Sequence, residues 1–182
     1  MALENGRTGL AATDTGAERA PDRGWPRLVV SGSRPRPSTR ADYRWFLAMA
    51  TRWMDNDVYG HVNNVTYYSF FDTAVARFLL ANGVLDLSAS TVVGLVVDTA
   101  CRYAAPIAFP DEVTCGLRCG RLGGSSIRYE IGVFRNDEDR ACAEGHFVHV
   151  YVERARQDRA VPLPAALRDA AQRLLMPAAG QP

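Results

Sequence analysis

The chain has 182 residues, of which 47% are hydrophobic and 23% are charged, and its formal net charge is +1. This composition is typical of a globular protein with one domain of ordinary size and a short extension. A net charge near zero provides no overall field that would attract nucleic acid or an acidic membrane surface. All 21 basic residues are Arg, which excludes a Schiff-base lysine, a P-loop lysine and a Ser–Lys nucleophile pair.

The residues that bind metals or form disulfides are few. The sequence has only three His residues, so a multi-histidine metal centre is not expected. The four Cys residues are too sparse for a disulfide scaffold and are predicted to be reduced, mostly buried thiols: Cys101, Cys115, Cys119 and Cys142. The first thirty residues lack a secretory signal, and no apolar run is long enough to cross a bilayer. These features predict a soluble, cytoplasmic protein.

The chain divides into two parts. Residues 1–40 are rich in Ala, Gly, Pro and Arg and have almost no aromatic anchor. Such a segment buries too little apolar surface to offset its ordering entropy, so it is predicted to be a disordered tail. Residues 41–180 are predicted to form the folded domain.

The domain begins with a strand, a loop and a long helix. Apolar residues alternate from Tyr43 to Trp53, which favours a strand, although the opposite face is also apolar. Residues 54–61 are rich in Asp, Asn and Gly and form a loop. Residues 62–81 are predicted to be a helix that Asn63 or Asn64 caps and Gly83 ends. Because this helix is apolar on nearly all sides, we expect protein to surround it.

The second half of the domain is rich in strands. Strands are predicted over residues 91–103, 112–122, 125–135 and 140–153, followed by a short amphipathic helix over residues 164–176. The turn residues Gly123-Gly124 and Asn136 to Asp139 indicate two hairpins. The fold class is therefore α+β, an antiparallel β-sheet wrapped around a long central helix.

The loop before the long helix carries the residues best suited to chemistry. Asp55, Asp57, Gly60 and His61 lie immediately before a helix start, where backbone N–H groups polarise a carbonyl and stabilise an oxyanion. An adjacent carboxylate supplies a nucleophile or a general base for acyl transfer. Structural roles stay open for each of them: a solvated loop acid for Asp57, turn stabilisation for Asp55 and His61, and capping for the Asn residues.

The loop and helix sequence resembles a known family. The run R-x-x-D-x-D-x-x-G-H-V-N-N at residues 52–64, followed by V-T-Y-Y-S-F-F-D-T-A, is similar to the hotdog-fold acyl-CoA thioesterases of the 4-hydroxybenzoyl-CoA thioesterase type. Further matching features are Tyr103-x-x-Pro106, Asp111-Glu112-Val113, Gly124-Ser125-Ser126 and Pro162. The resemblance covers about residues 43–165 and implies the hotdog fold.

The resemblance also implies roles for individual residues. Asp57 matches the catalytic carboxylate, the backbone N–H of Asn64 matches the amide that polarises the thioester carbonyl, and His61 has a positional role. Asp72 lies where related sequences often have Glu and is either a second acid or a support for the loop. The substrate-binding candidates are Tyr59, Val62, Asn63, Tyr67, Ser125 and Ser126. The resemblance does not rank the Arg residues that would meet CoA phosphates: Arg102, Arg121 and Arg128.

The function implied is hydrolysis of a fatty-acyl or aryl-acyl CoA thioester without a metal or an organic cofactor. Asp57 acts either as nucleophile or as general base. The resemblance further implies a homodimer or homotetramer. Binding to nucleic acid or to a membrane is not expected, because the net charge is near zero. Two alternatives stay open: a hotdog hydratase acting on enoyl or hydroxyacyl thioesters through His61 and Asp72, and a non-catalytic acyl-CoA-binding sensor.

Overall fold

The computed structural model describes residues 36–176, so residues 1–35 of the predicted tail lie outside the described part of the chain. The described residues form five strands and two α-helices. In chain order the elements are β1 (Trp45–Ala50), α1 (Asn64–Ala81), β2 (Val92–Tyr103), β3 (Glu112–Leu122), β4 (Ser126–Arg135), β5 (Ala143–Glu153) and α2 (Ala165–Arg173).

The five strands form one antiparallel sheet in the order β1-β3-β4-β5-β2. The predicted strand bounds agree with the observed ones to within a few residues, and both hairpins are present. In the first hairpin the Gly123 N–H donates to the Ser126 carbonyl (2.8 Å), and in the second Asn136 adopts a positive φ of 49°. These turns connect neighbouring strands directly, whereas β1 and β2 reach the two edges of the sheet through longer connections.

The core lies between α1 and one face of the sheet. Because side chains alternate along a strand, every second residue of β3 and β4 points to α1 and is buried. These residues are Val113, Cys115, Leu117, Cys119, Ile127, Tyr129, Ile131 and Val133. All four thiols are free and three of them are buried, as predicted, and burial raises the pKa of Cys119 and Cys142 to about 11.

Helix α1 starts two residues later than the predicted Val62. The Val62 N–H donates to the Ile107 carbonyl (2.7 Å), and Val62 pairs with Asn56 as an isolated bridge, so its backbone is extended. Asn63 is the cap, because its side-chain oxygen accepts the Val65 N–H at 3.2 Å. The helix ends at Ala81, and Gly83 follows the Asn82 cap with a φ of 65°, which suits a residue without a Cβ.

The prediction that protein surrounds α1 on all sides is wrong for the described chain. A single sheet contacts the helix from one side, where Phe71, Ala74 and Val75 are almost completely buried. The opposite face, which includes Asp72 and Thr73, is exposed. Neither helix within residues 36–176 has the length and apolarity needed to span a membrane.

One buried polar side chain stands out in the core. His149, on β5, is only 8% exposed, and neither ring nitrogen has a hydrogen-bond partner within residues 36–176. Its ring is enclosed by aromatic neighbours: it stacks on Phe147 at 5.9 Å and meets Tyr129 edge-on at 5.3 Å. Burial lowers the pKa of His149 to about 4, so the imidazole is neutral in the folded protein at neutral pH.

We expect His149 to make the fold sensitive to acid. The unfolded chain takes up this proton near pH 6.5 and the folded chain only near pH 4, so the free energy of unfolding falls as the pH decreases through that window. The loss reaches at most about 3 kcal/mol at pH 4. Urea unfolding of His149→Leu between pH 4 and pH 7 should lack this decline. His146→Asn, which alters a partly exposed ring paired with Asp98 at 2.9 Å, should retain it.

Candidate functional site

The loop between β1 and α1 is held in place by the connection between β2 and β3. The Thr51 hydroxyl donates to the Asp111 carbonyl at 2.6 Å, at the point where the loop leaves β1. Further along, the Asn56 side-chain oxygen accepts the Phe109 N–H at 3.0 Å. Together with the bond from Val62 to Ile107, these contacts attach the loop along its length, so its conformation is set by residues more than forty positions away.

The first acid of the loop, Asp55, is a structural residue. It is 2% exposed, and its carboxylate accepts hydrogen bonds from the Arg52 guanidinium (2.7 Å) and the Arg52 backbone N–H (2.7 Å). Burial opposes ionisation of Asp55, but the hydrogen bonds from Arg52 outweigh it and lower the pKa of the carboxyl. The Asp55 carbonyl also accepts the Asn63 N–H at 2.8 Å. Asp55 therefore fixes the residue that caps α1.

The second acid, Asp57, lies at the base of a tight turn that ends at His61. The Asp57 N–H donates to the His61 carbonyl (2.7 Å), and the Gly60 N–H donates to the Asp57 carbonyl (3.0 Å). The turn requires a φ of 80° at Gly60, which glycine adopts without strain. The Asp57 oxygen Oδ1 accepts the backbone N–H of Tyr59 at 2.8 Å and that of His61 at 3.4 Å. The carboxylate is half-buried, unlike that of Asp55.

The start of α1 lies directly after this turn. Asn63 accepts the Val65 N–H through its side chain and the Thr66 N–H through its carbonyl (2.9 Å). The Asn64 N–H precedes both of these amides and is the first of the helix. Because the first amides of an α-helix have no carbonyl one turn before them, they are available to polarise an acceptor at this end.

Several exposed apolar side chains flank the turn and the helix start. They are Trp53, Met54, Val58, Tyr59 and Val65. Tyr59, a predicted substrate contact, therefore projects from the same loop that holds Asp57. Val62, by contrast, is buried and contributes through its backbone.

The other predicted site residues lie farther away. Tyr67 is 3% exposed and packs in the core, where burial raises the pKa of its hydroxyl. Ser125 and Ser126 lie at the start of β4. The loop lies near the other end, because Thr51 bonds to Asp111, and Asp111 accepts a hydrogen bond from Asn136 directly after β4. At about 3.4 Å per residue, the length of β4 separates these two positions by roughly 30 Å within one chain. Their role as substrate contacts stays a prediction.

Asp72 is also distant from the loop. It lies eight residues into α1, which corresponds to about 12 Å along the helix axis from Asn64. The residue is exposed, although partial burial of its carboxyl raises the pKa. Its role as a second acid or as a support for the loop stays a prediction.

Two of the three Arg candidates for CoA phosphates line a groove on the outer face of the sheet, opposite α1. The groove has a volume of about 400 Å³ and contains Arg102 and Arg128 together with Arg118. Arg118 and Arg128 both pair with Glu130, at 2.8 Å and 3.3 Å. Within residues 36–176, no three His, Cys, Asp or Glu side chains form a cluster suited to a metal ion.

One neighbour of the helix start was not predicted as a site residue. The Tyr103 hydroxyl donates to the Asn64 carbonyl at 3.1 Å. Its sequence signal is the Tyr103-x-x-Pro106 pattern, which matches the resembled family but gives no indication of what the side chain contacts. Only the packing of β2 against α1 brings the two residues together.

The fold agrees with that of known proteins. Residues 51–171, more than half of the chain, match the family model of the thioesterase-like superfamily. The PA5185 protein of Pseudomonas aeruginosa is 53% identical, with 78% of this chain and 97% of that protein covered and a TM-score of 0.74. PA2801 of the same organism, a provisionally assigned thioesterase, is 32% identical over 70% and 98% of the two chains, with a TM-score of 0.64.

A third structure, the BH1999 gentisyl-coenzyme A thioesterase, is 24% identical over 70% of this chain and 99% of that one, with a TM-score of 0.62. Five antiparallel strands and a long helix, shared with these structures, identify the hotdog fold. The chain belongs to the thioesterase-like superfamily. Membership supports thioester hydrolysis as its general activity.

We expect Asp55→Asn to destabilise the fold by about 1–3 kcal/mol, because the substitution removes the buried negative charge that pairs with the Arg52 guanidinium. Since the pKa of Asp55 is lowered in the folded protein, its stabilisation is present above the unfolded pKa near 4 and is lost as the pH falls below it. Urea unfolding at pH 7 and pH 3 measures both effects.

The matched control for Asp55→Asn is Asp158→Asn, which removes an exposed pair with Arg156 (3.0 Å). This control should change the free energy of unfolding by less than about 0.5 kcal/mol. Equal effects of the two substitutions would contradict a structural role for Asp55.

Proposed function

We propose that the protein hydrolyses an acyl-CoA thioester, with the Asp57 carboxylate and the Asn64 backbone N–H acting on the same carbonyl. The observation that carries this proposal is the position of Asp57: a half-buried acid in a five-residue turn that is followed directly by the capped start of α1. Asp55, two residues earlier, is fully engaged by Arg52, so Asp57 is the acid of this loop that is suited to chemistry.

In the proposed reaction the thioester oxygen accepts the Asn64 N–H. The helix start then stabilises the negative charge that develops on this oxygen when the carbonyl carbon is attacked. The Asp57 carboxylate either attacks the carbon and forms a mixed anhydride, which water then hydrolyses, or takes a proton from an attacking water. In both routes the C–S bond breaks, CoA leaves as the thiol after taking up a proton, and the acyl group is released as a carboxylic acid.

The neighbouring residues have supporting roles in this proposal. His61 closes the turn through its backbone and donates its N–H to Asp57, and these contacts support the positional role that the resemblance implies. Asn63 orients the first amides of the helix through its cap. Tyr59 and the other exposed apolar residues of the loop provide a surface for the acyl or aryl group, since burying apolar substrate surface there is favourable.

We expect Asp57→Asn to lower kcat for acyl-CoA hydrolysis by about a hundredfold or more, because the amide neither attacks a thioester nor accepts a proton from water. The assay follows thiol release from a panel of acyl-CoA substrates with different chain lengths and an aryl-CoA. Asp169→Asn, which alters an exposed acid on α2, is the matched control and should leave kcat unchanged.

Isotope labelling separates the two routes. In single-turnover hydrolysis in ¹⁸O-water, label in the Asp57 carboxylate supports attack by the side chain, whereas label only in the product acid supports activation of water. Native activity in Asp57→Asn would refute the assignment of Asp57. Tight binding of acyl-CoA by the wild-type protein with no turnover on the panel would favour the acyl-CoA sensor instead.

We further propose that the protein assembles as a homodimer through β2. This strand is an edge of the sheet, twelve residues long, and it carries the exposed residues Val96 and Val97. A long apolar edge with unpaired backbone groups is suited to antiparallel pairing with a second copy. Two such dimers can associate further into a tetramer, which sedimentation velocity detects.

This arrangement accounts for the separation between Asp57 and the serines of β4. Ser126 pairs with Val150, which in turn pairs with Leu95, so the serines lie toward the Val92 end of β2. The Asp57 loop lies toward the Tyr103 end. Antiparallel pairing of two β2 strands places the Val92 end of one copy beside the Tyr103 end of the other. Each site would then draw its serines from the second copy.

We expect Val97→Lys to raise the dimer dissociation constant by about tenfold or more, because it places a charge on the pairing edge. Sedimentation velocity across a concentration series measures the change. Leu87→Lys removes an exposed apolar side chain from the loop before β2 and should leave the association unchanged. A wild-type protein that is monomeric at all concentrations would refute dimer formation.

A further inference from the structure

The last residue of β2 reaches across to the first residue of α1. The Tyr103 hydroxyl donates to the Asn64 carbonyl at 3.1 Å, and the Tyr103 ring packs edge-on against Tyr67 with 5.0 Å between ring centres. The backbone of Tyr103 is itself fixed, because it pairs with Ala143 of β5. A rigid point of the sheet is thereby connected to the residue whose amide begins the helix.

We propose that Tyr103 is a positioning residue that holds Asn64 in place so that its N–H points at the reacting carbonyl. This inference rests on the proposed function, because it concerns the amide to which that function assigns carbonyl polarisation. Tyr103 acts through the Asn64 backbone and is not itself placed in contact with the reacting atoms.

The contacts on either side of the Asn64 amide explain why such a residue is needed. The preceding residue, Asn63, is fixed by the Asp55 carbonyl and by its own cap to Val65. On the following side, the hydroxyl of Tyr103 holds the Asn64 carbonyl. An oxyanion donor stabilises the transition state only when it is held within a few tenths of an ångström of its working position. The first turn of a helix otherwise frays, since it lacks part of its hydrogen bonds.

The Tyr103 hydroxyl is suited to donate a hydrogen bond over a wide pH range. Although Tyr103 is 39% exposed, partial burial, followed by the neighbouring Cys101 thiol, raises the pKa of the hydroxyl. The group therefore keeps its proton and donates throughout the neutral and mildly alkaline range. Replacing the hydroxyl should consequently change the rate by the same factor at every pH in that range.

The test is Tyr103→Phe, which keeps the ring against Tyr67 and removes only the hydroxyl. With the acyl-CoA that the wild-type protein hydrolyses fastest, we expect kcat to fall about five- to tenfold, the effect of one lost hydrogen bond. KM should stay within about twofold, because the interaction is used in the transition state. The pH profile should keep its shape.

Tyr151→Phe is the matched control, because it also removes a tyrosine hydroxyl that makes one hydrogen bond, to Tyr129 at 2.9 Å, on the part of β5 away from Asn64. This control should lower stability at least as much as Tyr103→Phe, because the Tyr151 hydroxyl is buried, and leave kcat within twofold of wild type. If both variants lose the same activity, a general loss of stability explains the effect and the positioning role is refuted.

Amide hydrogen exchange provides a readout that does not depend on activity. In the full-length protein without substrate, Tyr103→Phe should increase exchange at residues 64–68 about fivefold or more, and Tyr151→Phe should not. Unchanged exchange together with unchanged kcat would overturn the inference. If Tyr103→Phe increases exchange but the wild-type protein hydrolyses no acyl-CoA, the outcomes of the two proposals differ. Tyr103 would still hold the helix start, and the proposed function would fail.

Discussion

The hydrogen bond from the Val62 N–H to the Ile107 carbonyl determines where α1 begins, and the arrangement of the site follows from it. Without this bond Val62 would continue the helical pattern of the residues after it, as the sequence suggests. Because Val62 is instead extended and bound to the connection after β2, the helix begins at Asn64 with Asn63 as its cap. A shift of one residue would rotate the first amides by about 100° around the helix axis and direct them away from the Asp57 turn.

The two acids of the loop illustrate how burial and hydrogen-bond partners assign different roles to the same side chain. Asp55 is buried and accepts from both the side chain and the backbone of Arg52, so its charge is used in maintaining the loop. Asp57 is half-buried and accepts only backbone amides at Oδ1 in the contacts described above. The buried Asp55 carboxylate is already occupied by Arg52, whereas the Asp57 carboxylate is more accessible, which is why the proposal assigns the chemistry to Asp57.

Local sequence patterns predicted most of the secondary structure, because its determinants are close in sequence. The Asn63 cap, the positive φ at Gly83 and the Gly123-Gly124 turn each depend on a few neighbouring residues. The start of α1 was predicted two residues early because the acceptor for Val62 is Ile107, forty-five positions away. For the same reason the sequence indicated Asp57 and Asn64 as neighbours but not Tyr103, whose contact depends on how β2 packs against α1. The exposed face of α1 was also missed, since composition does not reveal how many sides of a helix one sheet covers.

The edge strand β2 has two ends with different surroundings, and a β-bulge between Val96 and Asp98 separates them. Val96 and Val97 are exposed at the bulge, where the ladder to β5 is interrupted. Beyond it the pairing with β5 is regular through Tyr103, and the Ala104 N–H extends it by donating to the Cys142 carbonyl at 2.7 Å. The bulge increases the local twist and divides β2 into two segments: the one before Val97 is mostly half-buried, and the one after it is mostly exposed and ends at Tyr103. An edge strand can thus offer a surface for association while its far end holds the start of α1 in a fixed position.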